Sequence, residues 1–438
     1  MIVAKRFHLL RRCELKGWKY KKVVIFLITF FIYTINFRYL GTSDTVPNVY
    51  VAISLINEGN FDLDEFKGKV DLGNVVDYNN KTLSQYPVIT PIVAAPFLFL
   101  PETLFHVSKN PMRLLYLGKF IATFLISLST IFIYSSLRKI TEEKYALLVT
   151  LIYAFGTPTW STSSQGFWTH TTCEFFLALT IYFFLKGQKD KKYIKYAALP
   201  LGLTFLSRPT TLFILVVMVF YVLHKFRRSF ANFIFLLIPS LLSLMAYNYM
   251  HFDSILSTAY YLNPFDFLIR HGNIIEGFFG QLVSPSRGIF IFSPVLIFSL
   301  YGIYKYWKER NILFICFSAS ILSVVLIYSL HIVWYGGASF GNRYASDVMP
   351  LFVLFLPPSF DLMKKKRCMS ILFFILLGIS IFIQFEGAFI QTGVWDAKFN
   401  RGYEDTSWLW SWENNQIIYE LLNNKIEIPF NDFISAFI

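Results

Sequence analysis

Four side chains carry the chemistry that is easiest to read in this sequence: one carboxylate, Asp44, and three guanidinium groups, Arg208, Arg287 and Arg343. Asp44 stands in Leu40-Gly41-Thr42-Ser43-Asp44-Thr45-Val46-Pro47, just after an apolar run. A carboxylate in a partly dry place can serve as a general base. The plainer reading is a helix N-cap or a solvated loop acid. Each arginine lies at the edge of an apolar segment, in Leu206-Ser207-Arg208-Pro209, in Ser284-Pro285-Ser286-Arg287-Gly288 and in Phe340-Gly341-Asn342-Arg343-Tyr344. A guanidinium binds phosphate through a rigid two-pronged fork, so an anionic phosphate is the natural ligand. The plainer reading is pairing with a local acid, such as Asp347 for Arg343, or snorkelling towards headgroups.

A polar stretch from Gly156 to His170 (GTPTWSTSSQGFWTH) offers a second kind of chemistry. Gln165 and His170 are candidates for hydrogen bonds to a substrate. Trp168 suits packing on the C–H face of a sugar, although tryptophan is also ordinary at membrane interfaces. Glu174, four residues after His170, shares its helix face and makes a structural pair the plainer expectation. Glu58, Asp62, Asp64 and Glu65 lack the glycine and terminal glutamate of a calcium loop and read as a solvated turn. Asn80-Lys81-Thr82 fits a glycosylation sequon. His251, Asp266, Arg270 and His271 fall in a loop with no interpretable spacing. The four cysteines form no CxxC or Cys/His pair, so neither a zinc site nor a disulfide framework is expected.

The elements that must position these groups are membrane helices. The chain has 438 residues, of which 55% are hydrophobic, 19% aromatic and only 15% charged. Soluble domains carry about 25% charged residues, so disorder, a disulfide scaffold and a cytosolic enzyme are excluded. Spans need about 20 apolar residues, and eleven candidates follow: 23–37, 113–137, 145–156, 168–185, 193–206, 209–224, 230–249, 288–304, 311–333, 348–361 and 368–390. The first begins after eight Lys/Arg with no cleavage pattern behind it, which reads as a retained helix with a cytoplasmic N-terminus. The loops then assigned to the cytoplasm hold 26 of the 40 Lys/Arg against six of the 27 acids. The net charge of +13 is thus a topology signal, and a nucleic-acid partner is not expected.

Pro87–Pro101 has four prolines in 15 residues and reads as a re-entrant or interfacial element, not a crossing. Val49–Ile56 reads as a helix lying in the interface. The expected organisation is an all-α integral membrane domain over 1–390, with a long first extracytoplasmic loop at 38–112. Further outer loops cover 250–287 and 334–347, and a short extracytoplasmic tail covers 391–438. Chemistry is expected on the outer face.

These features resemble the polytopic GT-C glycosyltransferases. The likeness rests on an acid just after helix one, a long first outer loop, a Tyr86-Pro87 re-entrant segment and an outer Arg208-Pro209. Within that superfamily the chain is similar to the branch of protein O-mannosyltransferases and aminoarabinose-lipid A transferases. The blocks GTPTWSTSSQGFWTH, SPSRG, WYGGASFGNRY and WLWSWENNQ look like those of prokaryotic members. The resemblance implies a GT-C fold in a prokaryotic plasma membrane. It also implies an outward-facing inverting transfer of a hexosyl or pentosyl group from a polyprenyl-phosphate donor to a lipid, glycan or protein acceptor.

In that scheme Asp44 is the base. Arg208, Arg287 and Arg343 hold the donor phosphate, and Tyr86, Gln165, Trp168 and His170 contact substrate. Many relatives have two adjacent acids where this chain has Asp44 followed by Thr45, so a divalent metal is not favoured and no cofactor is called for. The 48-residue tail is too short for the larger C-terminal domain of some relatives. The rival readings are a lipid-linked-sugar transporter or flippase, which calls for charges near the midplane and internal repeats, and a non-catalytic membrane protein. Lys119, Glu174 and Glu386 are the charges that would suit a transporter.

Overall fold

The computed structural model describes residues 20–255 and 272–438. The basic residues before position 20, and Asp266, Arg270 and His271, lie outside the described residues. The first helix, α1, is described over 20–34. After it come α2 (Val46–Asn57), a hairpin of β1 (Val75–Tyr78) and β2 (Lys81–Ser84), α3 (Ile89–Phe105), α4 (Pro111–Leu137) and α5 (Glu143–Phe155). Then follow α6 (Thr169–Lys189), α7 (Ala198–Ser207), α8 (Leu212–Lys225) and α9 (Arg227–Phe252). Beyond the undescribed stretch lie α10 (Ile274–Val283), α11 (Ile297–Lys308), α12 (Ile312–Ser329), α13 (Arg367–Phe389), α14 (Gln416–Asn423) and α15 (Phe430–Phe437). The expectation of an essentially all-helical membrane protein therefore holds.

Span count is a different matter. Among the described residues α4, α9, α12 and α13 are long and apolar enough to cross a bilayer, and a bent pair, Arg343–Phe355 with Ser359–Lys365, makes a fifth if taken as one. Of the other expected crossings, α6 is an unbroken helix of 21 residues, whereas several are shorter or broken, such as α5 with 13 residues and α8 with 14. The eleven expected crossings thus do not each correspond to a helix of spanning length.

One feature of the first loop differs from the sequence expectation, and a second takes a form it did not specify. Val49–Ile56 does form a helix, but α2 is buried from Pro47 to Ser54 rather than laid on a lipid surface. Its run Val49-Tyr50-Val51-Ala52-Ile53 is apolar on every side, and such a helix belongs inside. It packs on α3 and α4. The proline-rich segment is a continuous 17-residue helix, α3, with Pro96 and Pro101 inside it. At 1.5 Å per residue it reaches about 25 Å, short of the ~30 Å hydrocarbon core. Phe97, Phe99, Leu100 and Leu104 on it are exposed.

The hairpin between these helices was not foreseen. Val75 pairs with Ser84 and Tyr78 with Lys81, around Asn79 and Asn80 with φ of 50° and 60°. Two consecutive left-handed residues are what a tight two-residue turn demands, and asparagine tolerates them. The sequon residue Asn80 sits in this turn. Asn79 donates to Asp253 at 3.0 Å, tying the loop to the end of α9.

Helix direction sorts the charges. At one end of the bundle Lys21 and Arg138 meet Glu143, Lys364 reaches Glu142 and Lys305 reaches Asp361. At the other end the first loop, the turn before α6, the start of α8 and the segment after α12 converge. The tail 391–438 folds back on this same end. Arg38 donates to the Gln391 carbonyl, Arg113 to the Ala436 carbonyl at 2.7 Å, and the Phe37 ring packs on Phe430 and Phe433.

Candidate active site

Asp44 is held by the backbone on both sides. Leu40 N–H donates to the Gln165 carbonyl at 2.9 Å, and Gly166 approaches Gly41 so closely that a Cβ there would meet Gly41 backbone atoms at 3.1 and 3.2 Å. The stretch after α1 is thereby pinned to the turn before α6. Thr42 Oγ1 accepts from the Asp44 amide at 3.2 Å, and Asn48 on α2 donates to the Phe167 carbonyl at 2.9 Å. Gly73, at φ 69°, lies against the Ser43 carbonyl, where a side chain would collide with backbone. That approach brings Asn74 to the carboxylate.

Arg343 and Asn74 bond the carboxylate, and the Tyr86 hydroxyl lies beside it. Arg343 forms an ion pair with Oδ2, and both side chains keep 12% of their surface exposed. Asn74 Nδ2 donates to Oδ1 at 2.6 Å and to the Tyr86 hydroxyl at 2.9 Å. Burial by itself raises the Asp44 pKa, but Arg343, the Tyr86 hydroxyl and the more distant Arg208 outweigh it and hold the group below the usual carboxylate range. Asp44 is therefore ionised at neutral pH.

Arg343 opens a short 3₁₀ turn, Arg343–Val348, capped by Asn342. Its guanidinium carbon lies 5.0 Å from the Trp168 ring and 5.8 Å from Tyr344, within cation–π range. One turn on, Asp347 is fully buried and gathers the next layer. His170 Nδ1 meets its Oδ1 at 2.7 Å, the Tyr328 hydroxyl donates to Oδ2 at 2.6 Å, and Arg208 Nε donates to Oδ2 at 3.2 Å. Arg208 also donates to Tyr328 at 2.7 Å and to Thr169 at 3.2 Å. Tyr328 and Tyr344 stack with centroids 4.0 Å apart. Asp347 is thus the partner of Arg208 and His170, whereas Arg343 goes to Asp44.

The remaining sequence candidates sit elsewhere. Arg287 is fully buried and ion-paired to Asp396, with further bonds to the Gln416 side chain at 2.6 Å and the Ser286 carbonyl at 2.9 Å. The neighbouring indoles of Trp395 and Trp408 lie 4.9 and 5.9 Å from it. This guanidinium fastens the tail to the loop before α11 and has no open face. Gln165 is fully buried; its amide oxygen accepts from Asn36 at 2.7 Å and its nitrogen donates to Ser164 at 2.9 Å. Glu174 does not pair with His170. It accepts instead from Tyr153 and Thr159, both at 2.9 Å, and from Ser163. Lys119, buried on α4, donates to Asn36 and the Arg38 carbonyl.

No motif in the sequence marks Asn74, and Asp347 is marked there only as a local acid for Arg343. Asn74 sits in a polar loop with no periodic signal. Asp347, an acid at the mouth of an apolar run beside Arg343, was the more visible of the two. Among the described residues no group of three or more His, Cys, Asp or Glu side chains is placed to hold a metal.

Residues 90–249 match the family described as dolichyl-phosphate-mannose-protein mannosyltransferase. The match takes in Gln165, Trp168, His170 and Arg208, but not Asp44, Arg287 or Arg343. No curated protein matches the chain. Among solved structures, a crystal structure of ArnT from Cupriavidus metallidurans bound to undecaprenyl phosphate is similar, at 15% identity and a TM-score of 0.46. The alignment covers 79% of this chain and 60% of that one, so the chain spans under two thirds of that protein's length. The family match bears out the resemblance of this chain to the GT-C membrane glycosyltransferases.

Proposed function

We propose that this protein transfers a sugar from a polyprenyl-phosphate carrier to an acceptor hydroxyl or amine, at the end of the bundle opposite its basic loops. The observation that carries the reading is the Asp44–Arg343 pair. It is a partly exposed carboxylate and guanidinium from loops 299 residues apart, beside a second arginine, Arg208. The family matched over 90–249 is named for a lipid-phosphate sugar, which supports this donor class. The positive-inside rule puts the basic loops in the cytoplasm and Asp44 outside.

In this reading Asp44 takes the acceptor proton as the acceptor oxygen or nitrogen attacks the anomeric carbon. The bond from that carbon to the phosphate oxygen breaks, its electron pair leaves with the phosphate, and attack from the opposite face inverts the centre. The leaving group is already an anion and needs charge stabilisation more than a proton, work that Arg343 and Arg208 supply. A carboxylate bonded to Arg343 is a weak base. A donor phosphate competes for that guanidinium, so its arrival frees Asp44 and raises its basicity at the moment it is needed. Arg287, with no open face, is assigned to holding the tail.

The test is incubation of the purified protein with radiolabelled polyprenyl-phosphate sugars. Loss of sugar from the lipid with wild type, and not with Asp44→Asn, is the expected result. Full activity in Asp44→Asn removes Asp44 from the chemistry. Lipid scrambling in vesicles without sugar transfer would establish the transporter instead.

A further inference from the structure

A pocket of about 180 Å³ opens next to the Asp44 cluster without including its carboxylate. Its wall combines the stretch after α1, the turn before α6, the segment after α12 and the first residues of the tail. Thr42, Thr162, Ser339 and Thr392 contribute hydroxyl-bearing side chains, Trp168 an indole, and Asp396 a carboxylate already paired with Arg287.

Three observations define its ligand. No lysine or arginine lines the pocket, so it does not select an anion, and phosphate belongs with Arg343 and Arg208. Ser339 already donates to the Gly341 carbonyl and Thr392 to Glu420, which leaves their oxygens able to accept from the hydroxyls of a sugar ring, a bond an acyl chain cannot offer. Thr162, only 3% exposed, has a hydroxyl with no hydrogen-bond partner among the described residues, a vacancy that a ligand hydroxyl would fill. The pocket also borders the reacting groups. Thr42 Oγ1 holds the Asp44 amide at 3.2 Å, and Trp168 lies under the Arg343 guanidinium.

We propose that this pocket binds an uncharged sugar ring and that the ring belongs to the acceptor, presented with a hydroxyl towards Asp44. The assignment to the acceptor rests on the sugar-transfer reading above; the sugar-binding property does not. The tail then becomes part of the acceptor site.

The test exploits Ala338, an exposed residue at the rim. Saturation-transfer NMR on the protein in nanodiscs, with methyl mannoside, methyl glucoside and N-acetylglucosamine as probes, should show saturable binding to wild type, Asp44→Asn and Ala338→Ser. Binding should fall at least about tenfold in Ala338→Trp, whose indole fills the pocket. Absence of saturable binding to wild type, or equal binding to Ala338→Trp, overturns the proposal. In transfer assays Ala338→Trp should raise the acceptor KM about tenfold with the donor KM within twofold, and Ala338→Ser should restore it. A rise in the donor KM alone assigns the ring to the donor and overturns the acceptor assignment. Glycoside binding that Ala338→Trp abolishes, in a protein that transfers no sugar, leaves the pocket standing and defeats the function proposed above.

Discussion

Two arginine–carboxylate pairs at the same end of the molecule use the same chemistry in opposite ways. Arg287 and Asp396 are packed against two neighbouring indoles, and the guanidinium is fully buried with the Gln416 amide and two carbonyls as further partners. Arg343 and Asp44 are each 12% exposed, and the carboxylate is shared with Asn74 and lies near Tyr86. A charge pair closed to solvent cannot exchange partners without an uncompensated charge in low dielectric, so it serves as a fastening. A pair open on one side can give up one bond to an incoming anion. What separates structure from chemistry here is access, not residue type.

The contrast can be broken most sharply at Asp44. Asp44→Asn should lower turnover by roughly 10²–10⁴-fold, the usual worth of a general base, with the fold intact and only a small loss of thermal stability in the detergent-solubilised protein. A drop in thermal stability that matched the lost activity would make Asp44 a fastening too. Next in size is Arg287→Met, which strands Asp396 and should cost about 3–5 kcal/mol of stability. Unfolding monitored by tryptophan fluorescence should show the tail indoles exposed first; an unchanged melting curve would erase the difference between the two pairs.

Arg343→Gln tests the open pair and should reduce kcat/KM about 10²–10³-fold. It also carries a pH signature with a definite sign. Asp44 is held low because Arg343 outweighs burial, so in wild type the acid limb of kcat/KM lies below the ordinary carboxylate range. Without Arg343 the burial effect is less opposed, the folded-state pKa rises and the limb moves to higher pH. A limb that stays in place would show that Arg343 does not set the charge state of Asp44. The smallest effect belongs to Asn74→Ala, which removes one hydrogen bond to a charged group, worth about 1.5–3 kcal/mol. It should slow turnover roughly tenfold to a hundredfold with donor KM little changed, a split that simple misfolding would not produce.

Legibility in the sequence followed the range of the interaction. Helix positions and the separation of basic loops from the Asp44 end were readable because hydropathy and charge are local along the chain. Asp44 and Arg343 were readable as chemistry, but their pairing spans 299 residues and leaves no local trace. The same holds for Arg287, read as a phosphate ligand although its carboxylate lies 109 residues on. His170 and Glu174 show the converse, since helical spacing suggested a pair and tertiary contacts took each residue elsewhere. The burial of α2 was within reach: five consecutive apolar residues leave no polar face for an interfacial helix to turn to water.

The partners of Arg287 also set an order on the making of this protein. The loop bearing that guanidinium leaves the ribosome more than a hundred residues before Asp396 and Gln416 exist to receive it. Until that later stretch is synthesised and folds back, the growing polypeptide carries an unmatched positive charge at a position that becomes fully buried. Chain order therefore makes the docking of Asp396 and Gln416 a later step than the making of the loop they fasten, and the charge is matched only when that docking occurs.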